Sequence, residues 1–501
     1  MAQSTVPPAA AARGMVAGDV WAQLRTRVEE RLRHFEAGPP TPAAVYALEQ
    51  EVRAAFDAAG RALLEAAFHR REPAARDQAA PKVRYHKQTY RLNKRTKAEV
   101  ATSFGPITLW SWLYLCTEDG EPGLHPLHVG LGIGAGAATP LLAERVARAS
   151  VEHTQAEVRA WLRREHGLSW SNDRLRVAVR DFRRGLAPFV PALQQERVVR
   201  WLAQAEASRG RHRPVLAVGR DGIMVPMRGG GYQEGSTATV SVYDRRRRRL
   251  GTIYLGQMPQ TKQVTLSQVL TALVQGVLRA SSGPLPRLAY ITDKGSAPEE
   301  FYRRVLRPMK HPRDGQPLSW EWVLDFYHVC GYVGHMAEAL FGAETPAAAQ
   351  WFAKMRRWLR ERRQGAAQVA RSAMQLLDRR KMTKAQRAAF WKAYRYLRRH
   401  RRWMDYEGYR RRGLPIGSGV TEAACKTVFT QRFKRSGMRW GHESGQVILD
   451  LRVVYLSGLW EEAFARALAA RVVPQPSGDP LANAPRGSHE ARRTAPRCFA
   501  A

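Results

Sequence analysis

The stretch from Arg213 to Asp325 restricts the fold more than any other part of the sequence. Val215-Leu-Ala-Val218 is a short apolar run that passes through Gly219-Arg220-Asp221-Gly222 and continues as Ile223-Met-Val225. Thr237 to Tyr243 and Gly251 to Gln257 are two more β-prone runs, joined by Asp244 and the five arginines Arg245 to Arg249. Leu266 to Ala280 carries apolar residues at helical spacing. Leu288 to Thr292 reads as a fourth strand that closes on Asp293-Lys294-Gly295, Pro298 to Val305 as a helix, and Trp320 to Leu324 as a fifth strand that ends at Asp325. The predicted order is therefore β-β-β-α-β-α-β, with one aspartate on the first strand and another just past the fourth.

That order is the layout of an RNase H-like fold, in which the first and fourth strands are neighbours. Asp221 and Asp293 then converge although about 70 residues separate them. A third carboxylate is expected from a later helix. Gly417-Ser418-Gly419 breaks the chain, and Glu422 follows in the first turn of the next helix, where an acid suits the positive end of the helix dipole. Three hard oxygen ligands suit Mg²⁺ or Mn²⁺. Two such ions roughly 4 Å apart serve in-line displacement at phosphorus by activating the attacking oxygen and stabilising the leaving one. Asp325 is the rival for the second position, but it ends the fifth strand rather than the fourth.

Charge points to the same class of substrate. Lys and Arg total 81 against 44 Asp and Glu, a net charge of +37, which favours a polyanion through phosphate contacts and counterion release. The four cysteines, Cys116, Cys330, Cys425 and Cys498, form no Cys-x-x-Cys pair. A disulfide framework is not expected, and a reducing cytoplasm is the simpler setting. The N-terminal MAQSTVPPAAAARG lacks a basic region followed by an apolar stretch, so no secretory signal is expected. No run of about 18 apolar residues suggests a membrane span.

The N-terminal half reads as DNA-binding. Val20 to about Arg71 has helical spacing broken at GPPTP. A basic strip, Lys82, Arg84, Lys87, Arg91, Lys94, Arg95 and Lys97, precedes a β-prone run, Thr108 to Leu115, and reads either as a grip on a DNA backbone or as a solvated surface. Thr154 to Leu162 and Asn172 to Phe182 read as two helices around a turn at His166-Gly-Leu-Ser169. This is the outline of a helix-turn-helix with Arg174, Arg176 and Arg180 on its second helix, although any helical hairpin with Gly in its turn looks similar.

Several blocks carry a family resemblance. Asp221-Gly-Ile-Met-Val-Pro226, Ile291-Thr-Asp-Lys-Gly295, Leu324-Asp-Phe-Tyr-His328, Gly417-Ser-Gly-Val-Thr-Glu-Ala-Ala-Cys-Lys426 and Arg432-Phe-Lys-Arg-Ser-Gly-Met-Arg-Trp440 are similar to blocks of bacterial insertion-sequence transposases of the ISKra type. The resemblance runs from about Thr96 to Trp460. It implies a DDE transposase whose RNase H-like domain holds metal on Asp221, Asp293 and Glu422, with a helical insertion between about Gly331 and Gly413. It departs where related proteins carry a Cys-rich zinc segment: here Cys116 stands alone among His86, His125 and His128, and no structural zinc is expected. Gly331 also stands where such proteins tend to have an acid.

The expected organisation is a multi-domain α/β protein. Residues 1–18 form a disordered tail, 19–80 a helical region, 81–135 a small basic β segment, and 136–205 a helix-turn-helix-like DNA-binding region. The catalytic domain comprises 206–330 and 415–472, interrupted by the all-helical 331–414, and 473–501 form a second tail. Lys426 either pairs with Glu422 one turn back or joins Arg432 and Lys434 in holding DNA. Trp440 is core or a stacking platform, and His328 is an auxiliary candidate beside Asp325. The expected activity is metal-dependent cleavage and strand transfer at terminal inverted repeats by a homodimer or larger assembly in a bacterial cytoplasm. The alternatives are an RNase H-like nuclease without strand transfer and a domesticated, non-catalytic DNA-binding protein.

Overall fold

The computed structural model describes residues 17–118, 120–293, 295–377 and 382–477. The chain is mixed α/β and divides into two compact units. The first comprises the described residues within 1–146, 154–182 and 468–501, the second those within 147–153 and 183–467.

In the first unit, α1 (Ala17–Ala37) and α2 (Pro42–Arg71) are separated at the GPPTP break. Thr41 caps α2 by accepting from the Ala44 amide, and Pro42 follows at the first helical position, where its missing N–H costs nothing. A four-stranded antiparallel sheet is built from β1 (Lys82–Tyr85), β2 (Gln88–Thr102), β3 (Gly105–Cys116) and β9 (Gln475–Ser477). The basic strip is therefore largely strand: most of it lies on β1 and β2, and β2 pairs with β3 along nearly its whole length. The short α3 (Pro126–Gly130) and α4 (Pro140–Glu152) follow, and α4 runs on into the second unit.

The expected tails 1–18 and 473–501 lie mostly outside the described residues. Within them, residues 17 and 18 begin α1, and Gln475–Ser477 form a strand instead of disordered chain. Ser477 to Gln475 pair with Lys82 to Arg84, which satisfies the open backbone edge of β1.

Two helices around a turn are present as expected, as α5 (Gln155–His166) and α6 (Asn172–Leu186). A Thr154–Glu157 capping box starts α5, and Gly167, in the left-handed region at φ 64°, ends it.

The second unit holds α7 (Val190–Ala207) and a five-stranded sheet. Its strands are β4 (Val215–Met227), β5 (Gly231–Tyr243), β6 (Arg249–Gln257), β7 (Arg287–Thr292) and β8 (Trp320–Leu324), in the order β6-β5-β4-β7-β8. Neighbours β4, β5 and β6 are antiparallel, whereas β4–β7 and β7–β8 are parallel. The first and fourth strands of this unit are thus direct neighbours, with Gly219 opposite Ile291. α8 (Val264–Ala280) follows β6, and α9 (Ser296–Phe301) with a π-helical continuation (Tyr302–Leu306) follows β7.

Among the described residues five α-helices stand between β8 and the segment containing Glu422: α10 (Phe326–Phe341), α11 (Pro346–Glu361), α12 (Gly365–Leu377), α13 (Lys384–His400) and α14 (Tyr406–Arg412). Then come α15 (Gly419–Ala424), a π-helical segment (Cys425–Thr430), α16 (Gln431–Phe433), α17 (His442–Leu456) and α18 (Trp460–Ala469). A buried cluster of Val225, Met227, Val428, Phe429, Phe433 and Leu449 joins the π-helical segment and α17 to β4. Among the described residues no helix is long and apolar enough to cross a membrane.

Candidate active site

Asp221 lies in the middle of β4, opposite Thr237 of β5. Strand alternation sends Arg220 and Asp221 to opposite faces. Arg220 is buried and donates to Ser267 Oγ (3.0 Å) and Gln263 Oε1 (3.0 Å), with its guanidinium over the Phe301 ring. Asp221 instead turns to the face on which the Glu422 helix packs. That packing depends on Gly219. A Cβ built there would stand 2.0 Å from Thr421 Oγ1 and 2.9 Å from Thr239 Oγ1, so any side chain would push α15 off the sheet. With glycine in place, the Thr239 and Thr421 hydroxyls meet at 2.9 Å within the buried interface.

Two of the candidate carboxylates, Asp221 and Glu422, have identifiable side-chain anchors, and Asp293 is held through its backbone. Asp221 Oδ1 accepts from the Gly222 amide (2.8 Å), and Oδ2 accepts from the Cys425 thiol (3.2 Å), which sits at the start of the π-helical segment one turn past Glu422. Glu422 Oε1 accepts from Ser418 Oγ (3.0 Å). Asp293 directly follows β7, and its backbone carbonyl accepts from the Tyr396 hydroxyl (3.3 Å) of α13. Tyr396 is in turn stacked on Tyr332 of α10, with ring centroids 3.9 Å apart.

Asp221 is subject to the charges of the other two acids. Burial holds the Asp221 carboxyl above the usual range, and the negative charges of Asp293 and Glu422 add to the shift against the opposing hydrogen bonds from Cys425 and Gly222. Burial likewise raises the Cys425 thiol, and the charges of Asp221, Asp293 and Glu422 raise it further. Among the described residues no three His, Cys, Asp or Glu side chains close on one point. Lys294, next to Asp293, lies outside those residues.

Asp325 is fully buried and committed elsewhere. Its Oδ1 accepts from the His328 amide (2.5 Å) and so caps α10, while Oδ2 accepts from the Ser418 amide. The Phe326 amide also donates to the Ile416 carbonyl (2.9 Å). Asp325 therefore fastens the Gly-Ser-Gly loop from which the Glu422 helix springs. His328 is exposed, with its ring edge-on to Tyr332 and near Tyr396.

The candidate DNA contacts divide into packed and exposed side chains. Lys426 and Lys434 are exposed, and Glu422 takes its hydrogen bond from Ser418 rather than from Lys426. Arg432 is 2% exposed: it donates to the Ser150 carbonyl (3.2 Å) and lies 4.9 Å over the Trp440 ring. Trp440 packs against Phe433, donates from Nε1 to the Phe433 carbonyl (3.0 Å), and exchanges backbone hydrogen bonds with Pro226 and Arg228. Both are packing residues here.

On α6, Arg174 donates to the carbonyls of Gly136 (3.1 Å) and Ala137 (3.2 Å) and pairs with Glu99, while its guanidinium covers Trp170. Arg176 pairs with Asp173 within the helix, and Arg180 is exposed. The guanidinium of Arg174 is thus spent inside its own unit.

Sequence reasoning missed Cys425, Ser418 and Tyr396. The first two carried a usable signal, since they flank Glu422 at helical spacing. Tyr396 carried none, because its approach to Asp293 depends on the packing of α13. Compared with models of known families and with curated proteins, the chain finds no match.

Proposed function

We propose that this protein is a DDE-type DNA transposase of the insertion-sequence kind it resembles, acting on the ends of its own element through an RNase H-like domain. The observation that carries the reading is the packing around β4: Asp221 stands on that strand, Asp293 follows its parallel neighbour, and the Glu422 helix rests on Gly219. The strand order β6-β5-β4-β7-β8 supports an RNase H-like domain, and α10 to α14 are then its helical insertion.

The donor set suits a hard divalent cation. All three side chains offer carboxylate oxygens, and a cation would offset the burial and like charge that raise the Asp221 carboxyl. Asp221, Asp293 and Glu422 would hold two Mg²⁺ or Mn²⁺ ions, which when bound supply Lewis-acid activation of the attacking and leaving oxygens at phosphorus. The chain's own contribution is positional. Cys425 and Gly222 orient the Asp221 carboxylate, Ser418 orients Glu422, and Asp325 holds the loop between them. Lys426 and Lys434 are free to neutralise strand phosphates. Terminal inverted repeats and target DNA are the substrates, and two copies pair the two ends in the bacterial cytoplasm.

The test incubates the full-length protein with DNA carrying the inverted repeats that flank its gene, with and without Mg²⁺. Joined products are expected, and Asp293→Ala and Glu422→Ala should abolish them while end binding survives. Cleavage without joining would identify a nuclease, and binding without metal-dependent chemistry a DNA-binding protein; either result overturns the reading.

A further inference from the structure

A dense group of exposed arginines in the second unit lies at the end of the sheet away from the carboxylates. The β5–β6 turn contributes Arg245 to Arg249, and the linker between α7 and β4 contributes Arg209, Arg211 and Arg213. The two segments are bound side by side. The Arg245 amide donates to Ser208 Oγ (3.1 Å), the His212 amide to the Arg245 carbonyl (3.3 Å), and Arg246 Nε to the Arg209 carbonyl (3.1 Å). Gly210 makes this approach possible: at φ +156°, a Cβ there would stand 2.3 Å from the Arg245 carbonyl oxygen.

The turn itself is rigid. The buried Asp244 accepts the Arg246 and Arg248 amides at 2.8 Å each and pairs with the Arg248 side chain, and Arg247 takes the left-handed region at φ 67°. Like charges held this close repel, so a solvated turn would gain by splaying them apart. Here backbone hydrogen bonds and a glycine keep them together. His212 reports the resulting field: burial, then the charges of Arg247, Arg211 and Arg287, push its imidazole below the ordinary range.

Among the described residues, Arg245 and Arg248 of the turn have carboxylate partners, Glu206 and Asp244 respectively. Arg209, Arg211, Arg213, Arg246, Arg247 and Arg249 remain exposed. Neither segment exposes a large apolar side chain. A protein interface normally needs an aromatic or aliphatic centre, whereas guanidinium groups on a rigid scaffold suit phosphate oxygens.

We propose that the Arg209–Arg213 linker and the Arg245–Arg249 turn form a second DNA surface, which grips the phosphate backbone of a duplex remote from the reacting strand. Its choice of partner rests on the reading of the protein as a DNA enzyme. From Val215 to Asp221 the strand rises about 20 Å at ~3.3 Å per residue, more than two Debye lengths of about 8 Å at physiological salt. Charge removed here leaves the field at the carboxylates nearly unchanged.

The experiment measures binding of the full-length protein to a 40-base-pair duplex (about 140 Å at ~3.4 Å per pair) by fluorescence anisotropy. It is run in EDTA across a KCl series, so it is independent of catalysis. Arg211→Gln, Arg246→Gln and Arg247→Asn are combined, asparagine being chosen because it tolerates a positive φ. Each phosphate that is no longer neutralised lowers the salt slope by about 0.9, so the triple variant should lose roughly two to three units of slope, and Arg247→Asn alone about one. A charge-matched control, Arg303→Gln with Arg304→Gln and Arg307→Gln, should leave the slope unchanged. An unaltered slope in the triple variant, pointing to an acidic protein or to solvent alone, would overturn the proposal. An equal fall in the control would do so as well, since it indicates diffuse attraction. If the triple variant loses its two to three units of slope but the wild type never joins DNA, the transposase reading fails and this surface stands.

Discussion

Substituting Gly219 with alanine tests the packing on which the whole site depends. The added methyl meets Thr421 Oγ1 at 2.0 Å and Thr239 Oγ1 at 2.9 Å, so the Glu422 helix must retreat from the sheet. Overpacking of this kind costs about 1–3 kcal/mol, and loss of the buried Thr239–Thr421 hydrogen bond costs about 1 kcal/mol more. The sum, about 2–4 kcal/mol, lowers the melting temperature of a unit this size by roughly 5–15 °C. Thr421→Ala in the same chain removes the worse clash and leaves the Thr421 Cβ at 3.1 Å and Thr239 Oγ1 at 2.9 Å, a hydroxyl then free to rotate away, so part of the loss should be recovered. The assay is a double-mutant cycle followed by thermal and urea denaturation, with a coupling of about 1–3 kcal/mol expected between the two positions. Additive losses would mean that α15 does not rest on β4 at Gly219, and the argument for a shared site would fail with it.

Asp221→Asn should stabilise the metal-free protein at neutral pH. The folded carboxyl is raised above its unfolded value, so its contribution is favourable below the unfolded pKa and is lost as pH rises through the folded one. The advantage of the variant over wild type should therefore shrink as pH falls through the acid range; a variant less stable at neutral pH would contradict the assignment. Asp325→Ala should cost about 3 kcal/mol in urea denaturation, by removing a helix cap and a charged anchor for the Ser418 amide, with Asp325→Asn retaining part of that. Arg432→Gln should lower the melting temperature, whereas Lys434→Gln should leave stability within about 0.5 kcal/mol and reduce the salt slope of DNA binding by about 0.9. The reverse pattern would restore Arg432 as a DNA-binding residue.

The sequence by itself determined the order of the strands around Asp221 and the helix start before Glu422. Those signals are local: β-prone runs such as Leu288 to Thr292 alternate with helical spacing, and Gly417-Ser-Gly marks a break whatever surrounds it. β2 escaped the same reading because its Lys, Arg and Asn content resembles a solvated strip, and only pairing with β3 makes it a strand. Tertiary structure alone decided which charged residues are available. Arg432 looks like a DNA ligand until its partner, the Ser150 carbonyl 282 residues earlier in the chain, buries it. Arg174 is withdrawn in the same way by Gly136 and Ala137. Asp325 and Asp293 both end a strand, yet one is consumed by the amides of His328 and Ser418 and the other lies near enough to add its charge to Asp221. The pattern of a segment records which backbone it favours, but the partner of a side chain is set by whatever the fold brings against it.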